Sequence, residues 1–181
     1  MPPSKEYGFF YACDFTAIVN GGNSQGTIQI EAGADFIVEA ILMTANLNVA
    51  NAIVSRSNLV GVDVAAGNDN TSNYKQIALN TSPKLYRDGT PNAAIATNAS
   101  LAHLSVKIDQ ADRSWMNQAI RADLLSGEPG KLFLLPTPIL VPGNTALNIT
   151  IYNKIPASFG SLVAPTVDCQ IVLAGRKSRV G

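Results

Sequence analysis

The sequence predicts an all-β chain, and three observations support this. The dominant periodicity of apolar residues is two, which is the spacing of strands that bury one face. The alternating segments are short and are separated by Gly, Asn and Pro. No strand-helix alternation of the kind that builds a parallel sheet occurs, so two antiparallel sheets packed as a β-sandwich or jelly roll are favoured. The 181 residues suit a single domain over residues 1–181 with roughly seven or eight strands.

The first third of the chain contains three predicted strands. The first runs from Phe9 to Val19 and ends at Asn20-Gly21-Gly22-Asn23, whose residues tolerate positive φ. The second spans Thr27–Glu31, and the third is the long run Asp35–Thr44. The third strand is partly apolar on both faces, as in a central strand or one that faces a neighbouring subunit. Strict alternation would place its side chains in two opposed sets: Phe36, Val38, Ala40 and Leu42 on one face, and Asp35, Ile37, Glu39 and Ile41 on the other.

The middle of the chain is dominated by a predicted long loop. A strand over Asn58–Val64 precedes it, and the loop covers residues 67–100, which are rich in Gly, Asn, Ser, Thr and Pro. Loops of this length are uncommon in compact domains. We expect a surface excursion that contains a short extended piece near Gln76–Leu79.

Strand character returns at Leu101–Ile108, where His103, Ser105 and Lys107 occupy the polar face. The following residues carry no sustained helical stripe. We expect them to form an extended arm that ends in one helical turn at Ala122–Ser126.

The last third contains three more predicted strands. Leu132–Leu135 runs into Pro136-Thr137-Pro138, and these prolines confine that strand to a sheet edge because they lack a ladder donor. Val141-Pro142-Gly143-Asn144 matches a type II turn, which requires positive φ at the glycine. The remaining strands span 147–152 and Val167–Ala174, and the first and last strands of the chain are expected to be neighbours.

The balance of charge and cysteine limits the possible partners. The chain has 13 basic and 13 acidic residues, so no global field attracts nucleic acid. No apolar run reaches the roughly 18 residues of a membrane span and no signal-peptide pattern opens the chain, so we expect no membrane partner and synthesis in the cytoplasm.

Cys13 and Cys169 are expected to be free thiols, although one bridge between the terminal strands stays possible. Charged residues are only 14%, which suggests a surface covered by partners.

Basic residues crowd the end of the chain, and residues 175–181 are predicted to form a basic C-terminal tail. Two interpretations stay open, a solvated end or a cationic arm that docks on an acidic patch of a neighbour. The candidate interface residues combine this tail with the long third strand: Ile37, Ile41, Arg176, Lys177 and Arg179.

Residues suited to catalysis are few. His103 is the only histidine, which excludes a two-histidine metal site within one chain, and the Gly-x-Ser-x-Gly pattern is absent. The polar segment Gly67–Asn73 lacks the acidic spacing of a calcium loop, and no glycine-rich turn is placed to hold a dinucleotide. We therefore expect no catalytic residues, no cofactor and no metal.

Seven segments follow one another in a characteristic arrangement along the chain: Asp14-Phe15-Thr16-Ala17, Thr27-Ile28-Gln29-Ile30, Ala34-Asp35-Phe36, Val106-Lys107-Ile108-Asp109, Leu135-Pro136-Thr137-Pro138, the stretch from Val141 to Asn153, and the stretch from Gln170 to Lys177. In this arrangement the chain resembles small structural proteins encoded among the head genes of tailed bacteriophages, taken to be capsid cement or decoration proteins.

The resemblance implies a jelly-roll-like sandwich that is made in the host cytoplasm and binds the exterior of the capsid. The implied partners are the major capsid protein and further copies of the chain, with a trimer favoured over a dimer because local three-fold axes are the commonest decoration site. No catalytic residue follows from it.

Three alternatives remain. A neck, tail or fibre-base component of the virion would use the same sandwich. A glycan-binding jelly roll would stack sugars on aromatics, but these are only 7% of the chain, with Trp115 as the single tryptophan. A cupin-type enzyme is disfavoured by the lone His103.

Overall fold

A computed structural model of the protein describes residues 5–50, 76–78, 101–110, 113–125, 132–155 and 163–179. These residues form two antiparallel sheets, which confirms the predicted all-β sandwich. None of the helices in these ranges is long and apolar enough to cross a membrane. The strands are β1 (Lys5–Val19), β2 (Asn23–Gln29), β3 (Asp35–Ala50), β4 (Gln76–Ala78), β5 (Leu104–Gln110), β6 (Arg113–Ser114), β7 (Ile120–Arg121), β8 (Phe133–Val141), β9 (Ala146–Asn153) and β10 (Val163–Arg179).

The two sheets differ in strand length. The long sheet has the order β1-β10-β3, and β4 and β8 pair with different parts of the far side of β3. Its three main strands have 15, 17 and 16 residues. The short sheet has the order β2-β9-β5, and β6 and β7 pair with opposite ends of β5. Its main strands have only 7, 8 and 7 residues.

The core lies between the inward faces of the two sheets. Alternate residues of the main strands of both sheets point into it, and several are 0% exposed, so each of these buries an apolar side chain worth roughly 1.5–3 kcal/mol. The main contributors are Phe15, Phe36, Val38, Met43, Ile171 and Leu173 from the long sheet, and Ile28, Leu104, Val106, Ile108, Leu147, Ile149 and Ile151 from the short sheet.

A β-bulge in β3 overturns the predicted alternation of that strand. Val38 is opposite Gly175 and Ala40 is opposite Ala174, so Glu39 is the extra residue. The bulge brings the backbones so close that a Cβ on Gly175 would lie 1.9 Å from the carbonyl oxygen of Ile37. Beyond the bulge the phase of the strand reverses.

Ile41 therefore does not share a face with Ile37. Ile41 turns into the core and is 1% exposed, whereas Leu42 turns outward. The prediction failed because one extra residue inverts every side chain that follows it.

The turn between β8 and β9 also differs from the prediction. The residue with positive φ is Asn144, at 61°, and not Gly143. Gly143 is required for another reason, since a Cβ there would lie 2.8 Å from the carbonyl oxygen of Ala34. The turn at Gly21 does have the expected positive φ of 72°.

The short elements in the middle of the chain and the edge strand β8 form where the sequence predicts them. β4 is the expected extended piece near Gln76, and a helix, α1 (Ala122–Leu125), is the expected helical turn. Pro136 and Pro138 lie in β8, which pairs only with β3 among the described residues, as expected of an edge. The predicted strand 58–64 and the rest of loop 67–100 lie outside the described residues.

The strand after the long loop begins later than the sequence predicts. Leu101–His103 form a 3₁₀ turn and β5 begins only at Leu104, so His103 lies before the strand. The backbone carbonyl of His103 accepts a hydrogen bond from the Lys154 N–H at 2.8 Å, which ties this turn to the chain after β9.

The C-terminal residues 175–179 do not form a solvated tail. They are the end of β10, which pairs with β1 on one side and, through Ser178, with β3 on the other. The predicted neighbourhood of the first and last strands is thereby confirmed. The basic residues were predicted as a tail from their charge alone, but their backbone completes the centre of the long sheet.

Candidate functional site: the outer face of the long sheet

A row of apolar residues crosses the outer face of the long sheet. The register places Phe10 of β1 opposite Ala174 of β10, Ala174 opposite Ala40 of β3, and Ala40 opposite Leu134 of β8. Phe10 is 66% exposed and Leu134 is 70% exposed, whereas the two alanines between them are buried. The row therefore has tall side chains at both sheet edges and low ones in the middle.

The rows on either side extend this apolar surface. One adjoining row contains Ala12, Val172 and Leu42. The other runs from Gly8 through Arg176 and Ile37 to Leu140, which is 51% exposed, so this row carries one charged residue beside its apolar pair. We refer to all these residues together as the outer apolar face: Phe10, Ala12, Ile37, Ala40, Leu42, Leu134, Leu140, Val172 and Ala174.

The short sheet provides a contrast within the same molecule. Its outer face also consists of rows across three strands, but these rows are polar, as expected where an antiparallel sheet faces water. For example, Thr27 hydrogen-bonds Asn148 at 3.1 Å, and Lys107 forms an ion pair with Asp109 at 2.8 Å. The outward residues are Asn23, Gln25, Thr27, Ser105, Lys107, Asp109, Asn148, Thr150 and Tyr152, of which Ser105 and Thr150 are covered by their neighbours.

Charged residues lie at two levels of the outer apolar face, one within the Ile37 row and one beyond the Ala12 row. At one end the Arg176 guanidinium contacts Glu6 at 2.6 Å and Glu39 at 2.8 Å, and the hydrogen bond and charge of Glu39 raise the pKa of Arg176. The bulge places Glu39 on this face.

At the other end of the face lie two aspartates. Asp14 accepts a hydrogen bond from Gln170 Nε2 at 2.7 Å, and Asp168 accepts one from the backbone N–H of Ala17 at 2.7 Å. Ala17 has a positive φ of 54° at the irregularity that interrupts β1 pairing between Phe15 and Ile18. Asp168 thus holds the backbone of β1 at the irregularity between Phe15 and Ile18.

The structure separates the five candidate interface residues. Ile37 and Arg176 lie on the outer face of the long sheet, whereas Ile41 and Lys177 point into the interior and are unavailable to a partner. The side chain of Arg179 lies outside the described part of the chain. The reasons are the bulge for Ile41 and the alternation of β10 for Lys177.

The sequence reasoning missed the most exposed residues of this face, Phe10 and Leu134. A signal was present, because Phe9 and Phe10 put aromatic residues on both faces of the first strand. Only the pairing of β8 with β3 shows that Leu134 continues the row that Phe10 begins.

Lys177 occupies a buried aromatic site rather than a docking surface. Its side chain is 1% exposed, and its Nζ lies 3.4 Å from the ring centroid of Phe9, 4.9 Å from that of Tyr11 and 2.9 Å from Glu31. Burial by itself lowers the pKa of Lys177, but the hydrogen bonds to Glu31 and Tyr11 outweigh it and raise the pKa. The ammonium is therefore held in its charged form.

The described residues offer little reactive chemistry. Within these ranges no group of three or more His, Cys, Asp and Glu side chains is placed to hold a metal. Cys13 and Cys169 are both free and buried, and burial raises the pKa of Cys169 to about 12. A thiol in this state is a small apolar core residue and not a nucleophile.

Two further candidates have structural roles. Asp109 accepts hydrogen bonds from Lys107 and Ser114, which lower its pKa, and all three lie on the polar face of the short sheet or beside it. Trp115 is half-buried against the core, and its Nε1 donates to Gln110 Oε1 at 3.4 Å, so its ring is not a free stacking platform.

No protein-family model, curated protein or solved structure matches this chain.

Proposed function

We propose that this chain is a non-enzymatic structural protein of a tailed-bacteriophage virion, which binds the exterior of the capsid as a homo-oligomer and reinforces the shell. The observation that carries the proposal is the outer apolar face, which stays exposed on one sheet while the other sheet has a polar outer face. Contiguous exposed apolar surface on a folded domain marks an interaction site. The resemblance of the sequence to capsid cement proteins supplies the identity of the partner.

We also infer that the sandwich is a jelly roll. The strands pair in a nested order, β1 with β10, β2 with β9, β3 with β8 and β5 with β7. The pairs alternate between the two sheets, which is the pattern of a double Greek key in which a long hairpin is rolled up. Viral capsid proteins are among the users of this architecture.

The edges of the long sheet support self-association. β8 carries two prolines, which prevent a further strand from pairing along it. β1 carries no proline from Lys5 to Val19 and pairs only with β10 among the described residues. An unprotected edge can accept a strand from a second copy. The preference for a trimer rests on the resemblance alone.

The proposal is tested by shell binding. The full chain is purified, its mass in solution is measured by light scattering, and it is mixed with empty capsids assembled without it. An oligomer that co-sediments at stoichiometric copy number and raises the melting temperature of the shells is expected. A monomer that stays in the supernatant would contradict the proposal and would favour the neck or tail alternative, in which only a few copies per virion are present.

A further inference from the structure

We propose that the outer apolar face is the surface that binds the capsid shell, and that the shell presents to it an apolar patch bordered by Lys or Arg. This inference rests on the proposed function and adds the surface and the chemistry of the partner. It is argued from three properties of the face: its extent, its shape and its charge.

The outer face of the long sheet carries several large exposed apolar side chains. Phe10, Leu134 and Leu140 are each more than half exposed. Two alanines lie between Phe10 and Leu134, and Ile37 lies beside Leu140, with the Arg176–Glu39 ion pair between these two rows. Soluble monomers rarely expose contiguous apolar patches of more than a few hundred Å². The polar outer face of the short sheet indicates that this sandwich does not need such a surface to fold.

The shape of the face suits a protruding partner. The central strands β10 and β3 contribute Ala174 and Ala40, while the flanking strands contribute Phe10 and Leu134. Along this row the surface is therefore low between two tall apolar side chains. An aliphatic side chain of the partner that lies over the two alanines would contact apolar atoms below it and at both ends of the row, which is the arrangement of an interface hot spot.

The charge of the face selects a basic partner. Two described cations lie at the face: Arg176 faces Glu6 and Glu39, and Arg113 donates to the Leu140 carbonyl oxygen at 2.8 Å, while the opposite end carries Asp14 and Asp168. Two guanidinium groups against four carboxylates leave this face acidic, although the whole chain has no net charge. A partner with Lys or Arg around an apolar centre is complementary to it.

The same charges disfavour a second copy on this face. Two copies stacked through their outer apolar faces would bring two acidic borders together, and like charges across an interface cost binding energy. Self-association is therefore assigned elsewhere, and the shell is the occupant of this face.

The experiment separates shell binding from self-association. The double variant Phe10→Ser, Leu134→Ser removes the two tall apolar side chains of this row at exposed positions, and its mass and shell affinity are measured beside the wild type. We expect the oligomeric mass to be unchanged and the shell affinity to fall by at least about tenfold, the loss typical of a hot-spot residue. Unchanged affinity, or a fall in oligomeric mass, would overturn the inference.

A charge variant with a matched control tests the chemistry of the partner and does not depend on the double variant. Asp14→Lys adds a cation at the border of the outer apolar face, and Gln25→Lys adds one on the polar face of the short sheet. We expect Asp14→Lys to weaken shell binding severalfold and Gln25→Lys to leave it unchanged, with wild-type binding also weakened by salt. Stronger binding by Asp14→Lys, or equal effects of the two variants, would overturn the basic-partner inference.

The two failures are distinguishable. If the wild type itself does not bind shells, the proposed function fails and this inference fails with it. If the wild type binds but the variants bind equally well, only the inference fails.

Discussion

The two sheets of this sandwich share one core but have opposite outer surfaces. Both alternate inward apolar residues with outward ones, yet the outward residues of the short sheet are polar and those at the centre of the long sheet are apolar. The short sheet thus follows the usual pattern of an antiparallel sheet that faces water on one side. The centre of the long sheet has apolar residues on both faces, as in a sheet that is covered on both sides, and this is why we propose that the partner binds there.

The largest expected effect is a difference in unfolding free energy between substitutions on the two faces of the long sheet. Phe36→Ala removes an inward ring that is 0% exposed and should lower the free energy of unfolding by about 3–5 kcal/mol. Phe10→Ala makes the same change on the outward face and should alter it by less than about 1 kcal/mol. Urea denaturation of both variants checks this. A large loss from Phe10→Ala would mean that the face is structural in the isolated chain.

A smaller effect is expected at the Lys177 site. Glu31→Gln leaves a buried ammonium without its carboxylate and should cost about 2 kcal/mol, below the full penalty because Glu31 is itself half exposed. Glu39→Gln is the matched control, since Arg176 is exposed and keeps Glu6, so a clearly smaller loss than that of Glu31→Gln is expected. Equal losses from both variants would contradict a special role for Lys177.

The pH dependence of stability should carry the signature of the same lysine. Folding raises the pKa of Lys177, so its contribution is fully present below the ordinary value of 10.5 and is lost as the pH rises through the higher folded value. We expect wild-type stability to fall more steeply above pH 10.5 than that of Lys177→Met. Stability is measured by urea denaturation from about pH 9 upward. Parallel pH profiles would show that Lys177 is not held in its charged form.

The smallest expected effect is an absence of reaction. Cys13 and Cys169 are buried and burial raises both pKa values, so neither thiol should react with a maleimide in the folded protein near neutral pH. Both should react after unfolding in denaturant, as mass spectrometry would detect. Rapid labelling of the folded chain would mean that the first and last strands separate readily.

The sequence predicted the inward side of the sandwich better than the outer one. Period two placed Cys169, Ile171 and Leu173 together, and the structure has all three in the core. The prolines of β8 predicted an edge, because a missing N–H has the same consequence in any sheet.

The outer face could not be predicted, because it depends on register between distant strands. One extra residue at Glu39 moved Ile41 inside, and no local pattern signals a bulge that is defined by Gly175 more than a hundred residues away. Similarly, Lys177 was grouped with Arg176 by charge, although neighbours in a strand face opposite sides. The ring of Phe9 that covers Lys177 belongs to the other end of the chain.

The most direct test of the central claim is protection from labelling on the assembled shell. The Ala12→Cys variant reports on the outer apolar face and keeps Phe10 and Leu134, and the Gln25→Cys variant reports on the polar face of the short sheet. The two native thiols are expected to contribute no background because they are buried. We predict that shell binding protects the Ala12→Cys thiol from a maleimide and leaves the Gln25→Cys thiol reactive. Protection at position 25 with free reaction at position 12 would contradict the assignment of the partner to the long sheet.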